Sequence, residues 1–194
     1  MLEYSPRQHL ENFSACAVVY FASLALVVYF TGPVERLFNS HIMFASVLFL
    51  PHGVRVLATL VFGPTLSFSY LLPLHIISVI IAPYSTDLLI YDKFFQAFVA
   101  SGCAPLALYI VTFLLGEDLA TLKTVNTRSW RIILLIIVIS AVINGVGQAA
   151  IVERSLDYGS SINLAVSYFT GDVFGSIITI YLAYLVLRRF KFIA

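Results

Sequence analysis

Six side chains in this sequence are of types that can do chemistry in an apolar surrounding: Asp172, Arg55, His52, His75, Asn144 and Gln148. Asp172 stands in the run Ala165 to Leu187, which is apolar and long enough to cross a bilayer. Two glycines flank it in Gly171-Asp172-Val173-Phe174-Gly175. A carboxylate at mid-helix costs about 2.5–3.5 kcal/mol on insertion scales, so such a residue faces a partner or a wet cavity. The partner of matching charge is Arg55, the only Lys or Arg in the interior of another spanning run. Asn144 and Gln148 are four residues apart and share one helix face. There they serve as hydrogen-bond glue between helices or as contacts to a ligand. His52 and His75 add two rings that each donate and accept.

Other chemistries find no support in the residue spacing. Neither His52 nor His75 has a His or Cys at helical spacing, so hydrogen-bonded rings are expected rather than a metal or haem site. The two cysteines, Cys16 and Cys103, both fall in spanning runs, which argues against a disulfide or a zinc site. No Gly-x-Ser-x-Gly, His-Glu-x-x-His or Walker loop is present, so no enzyme and no cofactor is expected. A net charge of +1 points to no nucleic-acid or polyanion partner.

The elements that must position these residues are membrane helices. Sixty per cent of the 194 residues are hydrophobic and 11% are charged, with a mean hydropathy of +0.97. That is far from a soluble domain. A spanning helix needs about 20 apolar residues. Such runs occur at about 12–31, 42–63, 64–83, 94–115, 130–152 and 165–187. The expectation is a single all-α integral-membrane domain over 1–194, a polytopic helical bundle in the lipid bilayer with no soluble output domain. The first 11 residues are mixed polar and no Ala-x-Ala site follows, so span one is expected to stay as a helix.

Basic residues set the orientation. With the N-terminus inside, the inner segments hold seven: Arg7, Lys123, Arg128, Arg131, Arg188, Arg189 and Lys191. The outer loops hold three: Arg36, Lys93 and Arg154. This predicts both termini inside; five spans plus a re-entrant segment would flip one end. Residues Pro83 to Lys93, with Asp87 and Asp92, form an outer loop in this reading. Glu117 to Arg131 is the longest inner connection. Its Leu119, Leu122 and Val125 read as a solvated loop, or as a turn lying on the membrane surface beside Trp130.

With about 1.5 Å of rise per residue, His52 lies about 15 Å below the outer end of its run, His75 about 12 Å, Asn144 about 12 Å, Gln148 about 6 Å and Asp172 about 10 Å. These five positions fall in one slab of the outer half. Arg55 is deeper, near about 20 Å on the same rise, but its side chain reaches several ångströms upward. Pairing of Arg55 with Asp172, direct or water-bridged, is expected. The alternative sets Asp172 on a ligand and Arg55 toward an interface. Pro51-His52-Gly53 is expected to interrupt span two. Pro73, and Ser101-Gly102-Cys103-Ala104-Pro105, mark breaks or kinks at matching depth. Gly171 and Gly175, four apart, allow another helix to approach closely.

Two stretches carry a family resemblance. Phe49-Leu50-Pro51-His52-Gly53-Val54-Arg55-Val56-Leu57-Ala58, followed by Phe62-Gly63-Pro64, resembles the "Pro-x-Gly, apolar run, Gly" signature of bacterial membrane-associated sensor domains of MASE type one. Thr170-Gly171-Asp172-Val173-Phe174-Gly175 is similar to that family's late Gly-Asp-x-x-Gly helix. The resemblance implies a sensory module in the bacterial inner membrane, and ligand contacts at Pro51, Gly53, Gly171, Asp172 and Gly175. It covers two of the six spans. The family has about eight spans and is fused to kinase or cyclic-di-GMP output domains, which this chain lacks. A stand-alone module would therefore act with a separate kinase or cyclase. Six spans with an outer-half polar pocket also resemble the substrate-capture subunit of energy-coupling-factor vitamin transporters. That family docks through small residues at four-residue spacing, and Ala15, Ala17, Ala22 and Ala25 do not keep that spacing. The expected function is therefore a sensory module that binds a small ligand. Transport with a partner subunit, or a structural or assembly role, are the alternatives.

Overall fold

A computed structural model describes residues 5–38, 46–81, 88–116, 127–156 and 161–189. Helix α1 (Pro6–Leu26) opens with a reciprocal cap. Ser5 Oγ accepts from Gln8 N at 3.3 Å, and Gln8 Oε1 accepts from Ser5 N at 2.8 Å. The helix then widens into one π turn (Val27–Thr31) before α2 (Gly32–Phe38). Pro33 stands just past that turn. A proline inside an α-helix lacks a donor and clashes with the carbonyl four residues back, and a π turn there absorbs the misfit. Thr31 Oγ1 donates to Val27 O at 3.2 Å.

The remaining helices are α3 (Leu50–Phe62), α4 (Pro64–Ile81), α5 (Ile90–Leu115), α6 (Thr127–Leu156) and α7 (Ser161–Arg189). No strand occurs among the described residues. Among the described residues five helices are long and apolar enough to cross a membrane: α1 with its extension to Glu35, α4, α5, α6 and α7. The chain is an all-α, polytopic helical bundle.

Span two departs from expectation. It contributes one helix of 13 residues, about 20 Å at 1.5 Å per residue and short of a bilayer's hydrocarbon core. Pro51-His52-Gly53 does not interrupt this helix but begins it. Pro51 occupies the first turn, where its missing N–H costs nothing. Residues 46–49 before it are irregular, and residues 42–45 of the expected run lie outside the described residues. Irregular backbone at membrane depth is tolerated only when protein surrounds it. Glu35 and Gly171 take up backbone donors of this segment, and α3 itself touches α1, α4, α5, α6 and α7. Nine of its 13 residues are buried.

Gly63 turns the chain from α3 into α4 at φ 81°. This left-handed φ favours glycine, and no neighbouring atom constrains the position. The helix directions follow from cross-contacts. Arg55 meets His75 and Thr59 meets Ser67, so α3 and α4 are antiparallel. His9 meets Tyr70 and Tyr20 meets Ser78, so α1 and α4 run the same way. Ser46 meets Gly171, Phe49 meets Gly175 and Gly53 meets Thr179, so the segment leading into α3, and α3 with it, runs with α7. The start of α1 and the end of α7 are therefore on the same side of the bundle.

Several sequence expectations move. Pro73 and Pro105 lie inside unbroken helices, so no break occurs at Ser101–Pro105 or at Pro73. Helix α5 begins at Ile90, before the expected start of span four. Asp92, expected in a loop, is buried in its first turn. Leu119, Leu122 and Val125, and Asp87, lie outside the described residues. One apolar core joins Val56, Cys103, Leu108, Ile136 and Ile180 near the end where α3 finishes. A second joins Tyr20, Val54, Tyr70 and Leu74 between α1, α3 and α4. The polar residues lie beside these two cores.

Candidate functional site

The Gly171–Gly175 face of α7 receives the irregular segment 46–49, not a helix. A methyl group on Gly171 would overlap Ser46 O, and one on Gly175 would overlap Phe49 O. Phe49 N donates to Gly171 O at 3.0 Å. The other side of the segment is held by Glu35, whose Oε1 accepts from Ser46 Oγ at 2.9 Å and from Leu48 N at 3.1 Å. Gly53 then brings α3 against Ser176 and Thr179 of α7. Thr179 Oγ1 donates to Leu50 O at 3.0 Å. This seating aims His52 and Arg55 at Asp172.

All six predicted side chains are buried, none more than 7% exposed, and one hydrogen-bonded network joins them. Arg55 is its hub. Its Nε donates to His75 Nε2 at 2.8 Å, its Nη1 lies 3.2 Å from His52 Nδ1, and its guanidinium sits 5.2 Å over the Phe49 ring. His75 Nε2 accepts that proton, so the ring carries its own on Nδ1 and donates to Leu71 O at 2.8 Å. Ser101 Oγ lies 3.2 Å from the same Nδ1. Tyr20 packs on the His75 ring at 4.7 Å between centroids, and its hydroxyl meets Ser78 Oγ at 3.1 Å.

The other arm runs through His52. Ser140 Oγ gives its proton to Ile137 O at 3.0 Å, so it accepts from His52 Nε2 at 2.9 Å. His52 Nδ1 lies 3.3 Å from Asp172 Oδ2. Asn144 Nδ2 donates to the same oxygen at 2.6 Å. Gln148 Nε2 donates to Gln96 O at 3.0 Å and lies 3.4 Å from Asn144 Oδ1, closing the network at α5. Every helix except the short α2 supplies a side chain to it. Two buried atoms lack a partner among the described residues, Asp172 Oδ1 and Ser176 Oγ. They belong to residues one turn apart on α7, hence on one face.

Arg55 and Asp172 thus do not pair directly; His52 stands between them. The depth mismatch between Arg55 and Asp172 closes because α3 begins at Leu50 and carries both His52 and Arg55 in its first two turns. Asn144 and Gln148 share a face, as their spacing requires. Sequence reasoning missed Ser140, Ser101, Tyr20, Gln96 and Ser176. Two of them carried a readable signal. Ser140, Asn144 and Gln148 repeat every four residues on α6, and Asp172 and Ser176 do so on α7. Tyr20 carried none, since an aromatic in an apolar helix reads as lipid-facing or core. No group of three or more His, Cys, Asp or Glu side chains fit to hold a metal occurs among the described residues.

Fold and site together define a multi-pass helical membrane bundle with a buried, charge-containing polar network at its centre. No family model, no curated protein and no solved structure matches this chain.

Proposed function

We propose that this chain is a sensory, ligand-binding module of a bacterial inner membrane, acting with a separate membrane partner such as a kinase or cyclase. The observation that carries the reading is the bare Oδ1 of Asp172, fully buried in the middle of a network that draws on six helices. A bundle needing only to hold its helices together gains nothing from a buried Arg, a carboxylate and two histidines, since apolar packing of similar volume is often as stable or more so. An acceptor left open in such a place is suited to a guest that brings a donor. Occupying it redistributes hydrogen bonds that reach α1, α3, α4, α5 and α6, which is the coupling a sensor needs. The MASE type one resemblance at Pro51, Gly53, Gly171, Asp172 and Gly175 supports the same reading.

The test is purification of the full chain under mild conditions, followed by mass spectrometry of retained small molecules. Wild type is expected to retain a donor-bearing compound that Asp172→Asn and Ser176→Ala do not. Equal content in all three proteins would remove the site from consideration. One observation favours the alternative, a transport subunit. Helix α3 starts inside the bundle next to Asp172, and transporters place substrates at the ends of such discontinuous helices. Uptake of the retained compound into sealed vesicles by the chain with an ATPase partner would decide for transport.

A further inference from the structure

The geometry points to a proton as a ligand of this site, bound between His52 Nδ1 and Asp172 Oδ2 and exchanged against the hydrogen bond from Arg55; we propose this on the basis that the site is ligand-responsive. Most hydrogen positions in the network are settled by their partners. His75 is fixed at both nitrogens, by Arg55 Nε on one and by Leu71 O on the other. His52 Nε2 is fixed as a donor, because the Ser140 hydroxyl has already given its proton to Ile137 O. His52 Nδ1 is the exception. It lies 3.2 Å from a donor, Arg55 Nη1, and 3.3 Å from an acceptor, Asp172 Oδ2.

The two contacts demand opposite states of one atom. With no proton on Nδ1, the nitrogen accepts from Arg55, and its lone pair also faces the lone pairs of Oδ2. With a proton between Nδ1 and Oδ2, that contact becomes an attractive hydrogen bond, and Arg55 Nη1 loses its acceptor. The step balances simply. Hydronium gives up one proton and leaves as water, one N–H or O–H bond forms in the His52–Asp172 pair, and the cluster that includes Arg55 gains one positive charge. Arg55 is a cation that does not give up its proton, so it loses both its acceptor on His52 and the attraction of the pair, whose net charge goes from −1 to zero, and it is the group released. Its guanidinium lies over Phe49, at the end of the irregular segment that Glu35 and Gly171 hold. Proton binding is thereby linked to the seating of residues 46–49.

The groups around the Arg55–His52–Asp172 cluster come from every surrounding helix. They are Tyr20 of α1, His75 of α4, Ser101 (through His75) and Cys103 of α5, Ser140 and Asn144 of α6, and Ser176 of α7. Arg55 is the one permanent cation in this set and Asp172 the one carboxylate. Asp92 is a second buried carboxylate, on α5, and serves as the control.

The experiment is a pH titration of the full chain in phosphatidylcholine nanodiscs, with two readouts. Difference infrared spectroscopy follows the carboxylic-acid C=O stretch, and nitrogen-15 NMR of labelled histidine follows protonation of the ring nitrogens. One reversible step is expected while the helices stay intact, seen as a new C=O band, as protonation of His52 Nδ1, or as both, because the pair shares one proton. The step should be missing in Asp172→Asn and unchanged in Asp92→Asn. In His52→Gln the carboxyl should titrate with its midpoint moved by about one pH unit or more, the coupling expected of such a pair. Where Asp172→Asn fails to fold, the wild type decides alone: a new C=O band, protonation of His52 Nδ1, or both must appear, and the His75 ring must not change. Absence of a step from both readouts overturns the proposal, as does a step that persists in Asp172→Asn. A wild type that shows no step but still retains a small molecule refutes the proton and leaves the sensory reading standing.

Discussion

Removing both charges from the network should harm the protein less than removing one. Arg55 and Asp172 are 3% and 0% exposed and joined through His52. Arg55→Met strands the carboxylate, and breaking a buried pair in this way costs roughly 3–5 kcal/mol. It also leaves His75 Nε2 without its donor, which adds about 1–3 kcal/mol. Asp172→Asn strands the cation, again at roughly 3–5 kcal/mol. The double variant keeps only the lost hydrogen bonds, roughly 1–3 kcal/mol. On these figures the single losses together exceed the double loss by at least about 4 kcal/mol, above the roughly 0.5–3 kcal/mol that contacting residues usually show. Equilibrium unfolding of the four proteins in one detergent, followed by Trp130 fluorescence and circular dichroism, measures this. The double variant should sit above both single ones. Losses that simply add would refute the bridge through His52, and would leave Arg55 and Asp172 as separately satisfied groups.

Gly175→Ala places a methyl group into the backbone of Phe49 and Leu50 and should cost about 1–3 kcal/mol, as overpacking does. Gly102→Ala meets only Phe68 at 3.8 Å and should stabilise by about 0.5–1 kcal/mol through helix propensity; thermal melts of both variants compare them directly. Glu35→Gln weakens the acceptor that holds Ser46 and Leu48, so the Leu48 amide should exchange with deuterium about tenfold faster, which is about 1.4 kcal/mol less protection. Unchanged exchange would mean that Gly171 alone holds the segment. A reporter active only outside the cell should be silent after Ala194 and active when inserted near Thr86, as seven inner against three outer basic residues require. The reverse at both positions would turn the bundle over.

The long helices were legible because about 20 uninterrupted apolar residues leave no other structure in lipid. The buried polar residues were legible for the same reason, since each one is costly alone. The shape of span two was not. Its apolar run is continuous through Phe49 and Leu50, and hydropathy carries no mark of where the backbone stops being helical. Pro51 is compatible both with a mid-helix kink and with a helix start. Only the segment packed on Gly171 and Gly175 decides between them, more than 100 residues away in sequence. Direct pairing of Arg55 with Asp172 was the simplest outcome for one cation and one anion. That His52 stands between them depends on α3 starting at Leu50, which puts His52 closer to α7 than Arg55 is.

The half-length of α3 also bears on the order in which this protein is assembled. A helix of 13 residues with an arginine in its middle is a poor candidate for entering lipid alone, where about 20 apolar residues are needed. The groups that make its place tolerable come late. Thr179, whose hydroxyl donates to the Leu50 carbonyl of α3, lies 129 residues downstream, and Gly171, Asp172 and Gly175 are on the same helix α7. Helix α3 therefore cannot reach its finished place until α7 has been synthesised. During synthesis residues 46–62 must wait at the membrane surface or beside α1 and α4. A chain stopped before residue 161 should leave this segment open to protease, although every residue of α3 itself is present.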